Sequence, residues 1–206
     1  MKTVVIDYGM GNLRSVAKAL EFVGFEGVSV SSEWKEVESA DVLVFPGQGA
    51  FRKAMENLRR LALVEPIRSH VERGKPFLGI CLGLQLLFER SYEHGQTEGL
   101  SLLEGEVVLL PPGVKLPHIG WNQVWIERRV ELFANIEDGD FFYFVHSYHV
   151  VPRSREVVAA TTDYGIRFVS AVQRGNLWAV QFHPEKSQRK GLRLLENFRE
   201  LCSRVL

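Results

Sequence analysis

The sequence is poor in cysteine, has no excess of charge of either sign and contains no long apolar run. Its 206 residues include only two cysteines, Cys81 and Cys202, too few for a disulfide framework. The 25 basic and 25 acidic side chains balance, so the basic excess that favours nucleic acids or anionic lipids is missing. No apolar run approaches the roughly 20 residues of a membrane span. We therefore expect neither nucleic acid nor a membrane as a partner.

The start of the chain lacks the features of a secretory signal. The acidic residue Asp7 follows only a short apolar run, whereas a signal peptide needs a longer apolar region and a small-residue cleavage site. The chain also has no internal repeat and no linker rich in proline, glycine or serine. We therefore expect a cytoplasmic location and a single domain that covers residues 1–206.

Strand and helix patterns alternate through the first half of the chain, and strand patterns dominate the second half. Predicted strands cover 2–7, 25–30, 41–45 and 76–80, and predicted helices cover 12–23, 50–61, 64–73 and 82–90. Short β-like segments follow at 105–110, 122–126, 141–150, 156–162, 168–173 and 177–182, before a closing amphipathic helix at 190–202. The pattern predicts an α/β three-layer sandwich with a mostly parallel central sheet flanked by helices and an antiparallel β extension.

Cys81 stands in a strand-to-helix turn that is typical of a nucleophile. The apolar residues 77–80 run into Gly79-x-Cys81-x-Gly83, and a helical pattern follows. At such a turn the side chain stands clear of the sheet, and the helix N-terminus favours the reactive thiolate. The alternative is that Cys81 is a small buried apolar residue, which is the interpretation that we give to Cys202 on its amphipathic helix.

His183 is the histidine best placed to act as the acid–base partner of Cys81. It follows a predicted strand, and chemistry in α/β sheets gathers at the carboxyl ends of strands. Because Pro184 favours an extended backbone before it, Glu185 should project to the same side as His183 and orient its ring. His146 and His149 are three positions apart on one predicted strand, so they should face opposite sides and we predict no metal site.

A tetrahedral intermediate at an amide also needs backbone donors for its oxyanion. The N–H of Leu82, in the first turn after Cys81, is one candidate. Residues 45–50, Phe-Pro-Gly-Gln-Gly-Ala, follow a predicted strand, and their glycines permit unusual backbone conformations, so we assign the second donor to Gln48. Taken alone, this segment could equally be a simple β-turn before a helix.

In combination, these segments resemble a known family. The order Pro-Gly-Gln-Gly, then Gly-Ile-Cys-Leu-Gly-Leu-Gln, then Phe-His-Pro-Glu is similar to that of the class I (triad) glutamine amidotransferases. Residues 7–16, 116–122, 144–148 and 183–188 further resemble the glutaminase subunits of imidazole glycerol phosphate synthases. The resemblance covers essentially the whole chain. It implies a Cys81–His183–Glu185 triad that hydrolyses glutamine through a thioester, and it implies no cofactor.

The resemblance also implies a substrate pocket and a protein partner. The pocket residues would be Gly47, Gln85, His146, Ser147 and Tyr148, although Gln85 could equally be an ordinary polar residue of a helix. The partner would be a cyclase subunit with a (β/α)8 barrel, forming a heterodimer that receives ammonia directly. The candidate contact residues are Asn12, Trp121, Tyr143 and Lys186, with core packing as the alternative for the two aromatic residues.

Three other functions remain open at this point. The chain could serve another triad amidotransferase, such as an anthranilate or pyridoxal phosphate synthase, with the same glutaminase reaction. It could instead be a non-catalytic binding domain of the same fold, or a cysteine peptidase on a related sandwich. The intact triad argues against a non-catalytic domain.

Overall fold

The computed structural model describes residues 1–206 as a large mixed sheet with helices packed around it. The strands are β1 (Thr3–Ile6), β2 (Val28–Ser31), β3 (Val42–Gly47), β4 (Phe77–Cys81), β5 (Phe88–Ser91), β6 (Thr97–Glu98), β7 (Leu103–Leu109), β8 (His118–Ile126), β9 (Asp140–His146), β10 (Tyr148–Pro152), β11 (Val158–Asp163), β12 (Arg167–Arg174) and β13 (Leu177–Val180). The helices are α1 (Leu13–Phe22), α2 (Trp34–Glu38), α3 (Phe51–Arg60), α4 (Val64–Glu72), α5 (Leu82–Gln85) and α6 (Gln188–Val205).

Five parallel strands form the part of the sheet that positions the site. Their order is β2-β1-β3-β4-β13, and every neighbouring pair is parallel. Strands β1, β3, β4 and β13 are buried along their whole length, as apolar strands covered on both faces should be. Parallel pairing brings the carboxyl ends of β3, β4 and β13 to one edge.

Helices cover both faces of this parallel region. Val5, Val42 and Val44 point into a core shared with α1 and α6. The alternate residues Val4, Ile6 and Leu43 point into a second core shared with α3 and α4. Because successive side chains of a strand face opposite sides, one sheet separates two helical layers. The predicted three-layer α/β sandwich is confirmed.

The second half adds antiparallel strands to the same sheet. Strand β12 pairs antiparallel with β13, β10 and β11, while β8 and β9 form a two-stranded antiparallel ribbon joined to the sheet through β11. The predicted antiparallel extension is therefore also confirmed. No helix is both long enough and apolar enough to cross a membrane.

Two predicted elements are wrong in their extent. The predicted helix at 82–90 stops at Gln85, and strand β5 follows and pairs with β7. The predicted strand at 141–150 is two strands, since Ser147 separates β9, which pairs with β8, from β10, which pairs with β7. Helix α2 and strand β6 were not predicted.

Candidate active site

Cys81 lies at the end of β4 in a backbone conformation that few side chains adopt. Its φ is +56° and its ψ is −108°, and α5 begins at the next residue. Such strain persists only where the surrounding structure enforces it, and it is common at functional positions. The conformation turns the chain sharply from strand to helix, as the glycine pattern around Cys81 predicted.

The two glycines of the turn are required by close packing. A Cβ atom at Gly83 would lie 1.8 Å from the carbonyl oxygen of Phe45, on neighbouring β3. A Cβ atom at Gly79 would lie 2.9 Å from the Cβ of Ala179, on β13. Side chains at these positions would push the turn off the two flanking strands. The glycines thus allow Cys81 to sit between β3 and β13.

His183 reaches Cys81 because its strand is the parallel neighbour of β4. Val180 of β13 is paired with Ile80 of β4, and His183 lies three residues beyond Val180. His183 itself is extended, with φ −104° and ψ 96°, as predicted, but Glu185 lies in a short 3-10 turn, Pro184–Lys186, rather than in extended chain. The turn still brings Oε1 of Glu185 to 2.9 Å from Nδ1 of His183, with both side chains buried.

The surroundings of His183 favour its charged form. Burial lowers the pKa of the imidazole, but the negative charge of Cys81, a hydrogen bond to its sulfur and the contact with Glu185 outweigh burial and raise the pKa to about 10. Nδ1 of His183 is hydrogen-bonded to Glu185. The buried Nε2 has no other protein partner, so it is the ring atom that can interact with the sulfur. The arrangement places a charged imidazole beside the sulfur of Cys81, as cysteine nucleophiles require.

Gln181 is a neighbour of the sulfur that the sequence analysis missed. Its side chain is fully buried, and Nε2 lies 3.6 Å from Sγ of Cys81. Its Oε1 accepts a hydrogen bond from Nε2 of Gln85 at 3.1 Å. Gln181 is two residues before His183, so an alternation argument along this segment would have found it.

The predicted oxyanion donors lie beside the nucleophile. Gln48 and Leu82 line the same cavity of about 720 Å³ as Cys81, and the loop that carries Gln48 continues through Gly49 at φ +105°. Gly47 is paired with Cys81 across β3 and β4, but it is buried and does not line this cavity. The role of Gly47 in substrate binding stays a prediction.

A second residue missed from the sequence, Tyr8, supports this loop. Its hydroxyl donates a 2.9 Å hydrogen bond to the carbonyl of Pro46. Burial, followed by the negative charge of Cys81, raises the pKa of Tyr8, so the phenol stays neutral and remains a donor. A Cβ atom at Gly47 would lie 2.0 Å from the Tyr8 oxygen, which explains the glycine at that position.

The other predicted pocket residues also line the cavity. They are Gln85, His146, Ser147 and Tyr148. Nε2 of Gln85 donates to the carbonyl oxygen of Tyr148 at 2.9 Å, so this amide is held by internal contacts. Glu93, which was not predicted, also lines the cavity, and its Oε2 accepts from the N–H of Phe51 at the start of α3 at 2.7 Å.

His146 is a neutral member of a hydrogen-bonded histidine pair. Burial lowers the pKa of His146 to about 3 and that of His118 to about 4. Nδ1 of His146 lies 2.9 Å from the carbonyl of Tyr148, and Nε2 lies 3.0 Å from Nδ1 of His118. A carbonyl can only accept, so His146 donates through Nδ1 and accepts from His118. His118 is the first residue of β8.

His146 and His149 lie on different strands, β9 and β10, rather than on one. No group of three or more histidine, cysteine, aspartate or glutamate side chains is arranged to hold a metal ion. Cys202 is buried on α6, and burial raises the pKa of its thiol to about 12. Its environment is thus that of a packed, unreactive side chain.

Three of the four candidate contact residues form one surface at the mouth of the cavity. Trp121 is 46% exposed and lies edge-on to Tyr143, with 6.1 Å between ring centroids. Nζ of Lys186 lies 5.9 Å from the centre of the Tyr143 ring, and both residues line the cavity. Asn12 is exposed elsewhere on this edge, where it caps α1 through a 3.4 Å bond to the N–H of Ser15.

Sequence comparison assigns the chain to a family. The model of the family described as glutamine amidotransferase class-I matches residues 4–201.

The chain belongs to this family.

Relatives of known name extend the comparison. An imidazole glycerol phosphate synthase subunit HisH of Aquifex aeolicus is 62% identical over 205 residues, which cover 100% of this chain and 99% of the relative. The subunit HisH of Moorella thermoacetica is 57% identical over 197 residues, 96% of this chain and 93% of the relative. This class I glutamine amidotransferase is therefore similar, over nearly its whole length, to two proteins that carry the same name.

Solved structures show the same fold at low sequence identity. One described as a glutamine amidotransferase superposes with a TM-score of 0.75 at 21% identity, over 97% of this chain and 98% of the other. One described as PurLQS from Thermotoga maritima superposes with a TM-score of 0.74 at 18% identity, over 97% and 98% of the two chains.

Proposed function

We propose that this class I glutamine amidotransferase is the glutaminase subunit of an imidazole glycerol phosphate synthase. It would hydrolyse glutamine to glutamate and ammonia and deliver the ammonia to a cyclase subunit in histidine biosynthesis. The observation that carries the reaction is the Cys81 turn beside the buried His183–Glu185 pair. The names of the full-length relatives support the choice of complex. We further propose that residues 1–206 act as one amidase domain in the cytoplasm.

The first half of the proposed reaction forms a thioester. The Cys81 thiolate attacks the side-chain amide carbon of glutamine, and the electron pair of the carbonyl moves onto its oxygen. The backbone N–H groups of Leu82 and Gln48 hold this oxyanion. His183, charged because its pKa is raised to about 10, gives its proton to the departing nitrogen, and ammonia leaves. Glu185 stabilises the charged ring and fixes its orientation.

The second half hydrolyses the thioester. The neutral His183 formed in the first half takes a proton from water, whose oxygen attacks the thioester carbon. The C–S bond then breaks, glutamate leaves, and the electron pair returns to the sulfur as thiolate. His183 holds the proton, so the imidazolium–thiolate pair is restored and the enzyme is ready for the next glutamine.

The cavity beside Cys81 supplies groups for the amino-acid end of glutamine. Glu93 adds a negative charge suited to the α-ammonium group, and Gln85, with its N–H groups used internally, keeps its oxygen to accept from the same group. Ser147 and Tyr148 supply polar atoms on the facing wall, and His146 fixes their backbone through Tyr148. Gly47 would act through the conformation of the neighbouring loop.

The proposed partner is a cyclase subunit with a (β/α)8 barrel that docks over the cavity mouth. On the β8–β9 ribbon, alternate side chains face outwards, and Ile119, Trp121 and Phe141 are 60%, 46% and 52% exposed. Exposed aromatic residues beside a cavity are typical of an interface core. Docking there, with Asn12, Tyr143 and Lys186 around the site, would let ammonia pass between the two proteins without protonation in water.

The test separates the two activities of the complex. Cys81→Ala should abolish glutamate release by the chain mixed with a cyclase subunit, while binding of the two chains and synthesis from added ammonia persist. The cyclase substrate is a phosphoribulosyl formimino aminoimidazole carboxamide ribonucleotide, and formation of imidazole glycerol phosphate is measured beside glutamate. Glutamate release that survives in the variant would refute the role of Cys81.

A wild-type chain that the cyclase fails to stimulate would contradict the proposed complex but not the amidase chemistry. In that case the same assay with the synthase subunits for anthranilate or pyridoxal phosphate would identify the partner. Reaction of Cys81 with peptide-like electrophiles in preference to glutamine-like ones would instead support a cysteine peptidase.

A further inference from the structure

Gln181 occupies a position from which it can act on the reacting sulfur. Its strand β13 is the parallel neighbour of β4, and Val180 pairs with Ile80, so the next residue on each strand, Gln181 and Cys81, also lie side by side. The side chain of Gln181 is fully buried and makes two polar contacts, one to Sγ of Cys81 and one to Gln85. A buried side-chain amide destabilises the folded protein unless its hydrogen bonds are satisfied.

Tyr148, Gln85, Gln181 and Cys81 form a series of hydrogen bonds. The backbone carbonyl of Tyr148 fixes the direction of each one. The carbonyl oxygen of Tyr148 can only accept, so Gln85 must turn its NH2 group towards it, at 2.9 Å. The same NH2 group faces Gln181 at 3.1 Å, so Gln181 must present its oxygen there. The NH2 group of Gln181 is then left to face Sγ of Cys81, at 3.6 Å.

An N–H donor aimed at the sulfur favours the thiolate over the thiol. A thiolate accepts hydrogen bonds, and hydrogen bonding to the charged form of a group favours that form. Helix α5 has only four residues, so its dipole is smaller than that of a full helix, and nearby donors matter more. His183 supplies a positive charge to Sγ, and Gln181 supplies a neutral donor that keeps its hydrogen at every pH.

We propose that Gln181 is a fourth catalytic residue, which donates a side-chain hydrogen bond to the Cys81 sulfur and is held in that orientation by Gln85 and the Tyr148 carbonyl. The role rests on the proposed glutaminase function. In the first step the donor increases the fraction of Cys81 present as thiolate. In the second step it stabilises the electron pair that returns to sulfur when the C–S bond of the thioester breaks.

Two substitutions separate the donor to sulfur from the contact with Gln85. Gln181→Glu keeps an oxygen for the Gln85 amide but replaces the NH2 group with a carboxylate oxygen against Sγ. Gln181→Met removes both contacts and keeps the length of the side chain. Gln173→Glu is the matched control, since Gln173 lies on neighbouring β12 and is paired with Trp178, at the opposite end of β13. Its side-chain amide donates to the carbonyl of Gly175.

The first readout is the pH profile of Cys81 alkylation by iodoacetamide in the full chain, followed by mass spectrometry. Loss of one hydrogen bond to a charged group should move the midpoint of the Gln181→Met profile up by about one pH unit, which lowers the rate roughly tenfold at any pH below both midpoints. Gln181→Glu should move it at least as far because a like charge is added. Gln173→Glu should keep the wild-type profile, and wild-type midpoints in both Gln181 variants would overturn the proposal.

The second readout is glutamate release with the cyclase subunit present. Gln181→Glu should lower kcat about tenfold and leave KM for glutamine within about twofold, because Gln85 keeps its partner. Gln181→Met should lower kcat and also raise KM. A change in KM alone in both variants would mean that Gln181 only shapes the pocket. A wild-type chain that released no glutamate would refute the proposed function, whereas the alkylation profiles would still decide the role of Gln181.

A measurement on the wild-type chain covers the case in which neither variant folds, as judged by circular dichroism. In a ¹⁵N-labelled chain the side-chain NH2 signals of Gln181 should shift with the same pH midpoint as the alkylation of Cys81. They should stop shifting in Cys81→Ala. Gln181 NH2 signals that do not change when the Cys81 sulfur gains or loses its proton would contradict the proposal.

Discussion

His183 is buried beside two groups that both favour the protonated form of its ring. Cys81 and Glu185 both raise the pKa of the imidazole, against the effect of burial, to about 10, whereas a histidine in an unfolded chain has a pKa of about 6.5. The ring is thus a proton donor across the neutral range and loses that ability only as the pH rises towards 10. This residue-scale balance is what the proposed release of ammonia depends on.

Glu185→Gln should weaken this balance without changing the shape of the side chain. The substitution removes a negative charge 2.9 Å from Nδ1 of His183, so the pKa of His183 should fall and the imidazolium should be lost at lower pH. Loss of about 1.4 kcal/mol from a charged contact corresponds to about one unit in the pKa of His183, so kcat for glutamate release should fall mainly above neutral pH. The alkaline limb of its pH profile should move to lower pH.

The direct measurement is the titration of the His183 ring by NMR between pH 5 and pH 11. Glu185→Asp, which keeps the charge, is the control and should titrate closer to wild type than Glu185→Gln does. A His183 pKa that is equal in wild type and Glu185→Gln would contradict the role of the carboxylate.

At the scale of elements, the turn between β4 and α5 depends on a glycine with no room for a side chain. In Gly83→Ala the new Cβ would meet the Phe45 carbonyl at 1.8 Å, and this is backbone that cannot move without shifting β3. We expect a loss of about 3 kcal/mol of stability, or roughly 6–12 °C in Tm for a chain of this size. Thermal unfolding followed by circular dichroism measures it.

Gly175→Ala serves as the control for this prediction. Gly175 has φ +55°, and no heavy atom lies within 4 Å of the point that an added Cβ would occupy, so alanine there should cost only the conformational penalty, about 1 kcal/mol. Equal losses in the two variants would mean that the close approach of β3 to the turn does not limit substitution at Gly83.

The sequence predicted correctly those helices and strands for which the local residue pattern and the tertiary packing favour the same structure. The helix α1 combines an apolar stripe with an Asn12 cap, and the glycine–cysteine–glycine spacing identifies the turn at Cys81. The extent of α5 could not be predicted, because Leu84, Leu86, Leu87 and Phe88 are all fully buried and an apolar run has no period that separates helix from strand. Pairing with β7 decides the outcome there.

The same limit applies to the site. Cys81, His183 and Glu185 can be recognised by residue type and by the proline and glycines beside them. Tyr8 cannot, since a tyrosine after an apolar strand is common and its contacts depend on strand order. Alternation places Gln181 on the same side as His183, but its contact with the sulfur also depends on strand order. The order β1-β3-β4-β13 brings these residues together, and a pattern along one strand contains no information about its neighbours.

At the scale of the whole molecule, the exposed aromatic face of the β8–β9 ribbon is the proposed docking surface. Trp121→Ala should weaken binding to the cyclase subunit about tenfold or more, because truncation of an aromatic residue in an interface commonly costs more than 1 kcal/mol. The free chain should keep its Tm to within a few degrees, because Trp121 is partly exposed. Isothermal titration of the two chains measures the change in Kd.

Trp34→Ala is the matched control for the docking surface. Trp34 is 43% exposed, close to the 46% of Trp121, but it lies on α2 rather than on the β8–β9 ribbon. It should leave Kd unchanged. An equal loss of affinity in the two variants would contradict docking at the cavity mouth.

Covalent capture of the sulfur by a glutamine-like electrophile is the sharpest test of Cys81 as the nucleophile. The full chain, mixed with the cyclase subunit, is incubated with a diazoketone analogue of glutamine, digested and analysed by mass spectrometry. We expect one adduct, on the peptide that carries Cys81, with protection by excess glutamine and with parallel loss of glutamate release. An adduct confined to another residue, or full glutaminase activity with Cys81 modified, would contradict it.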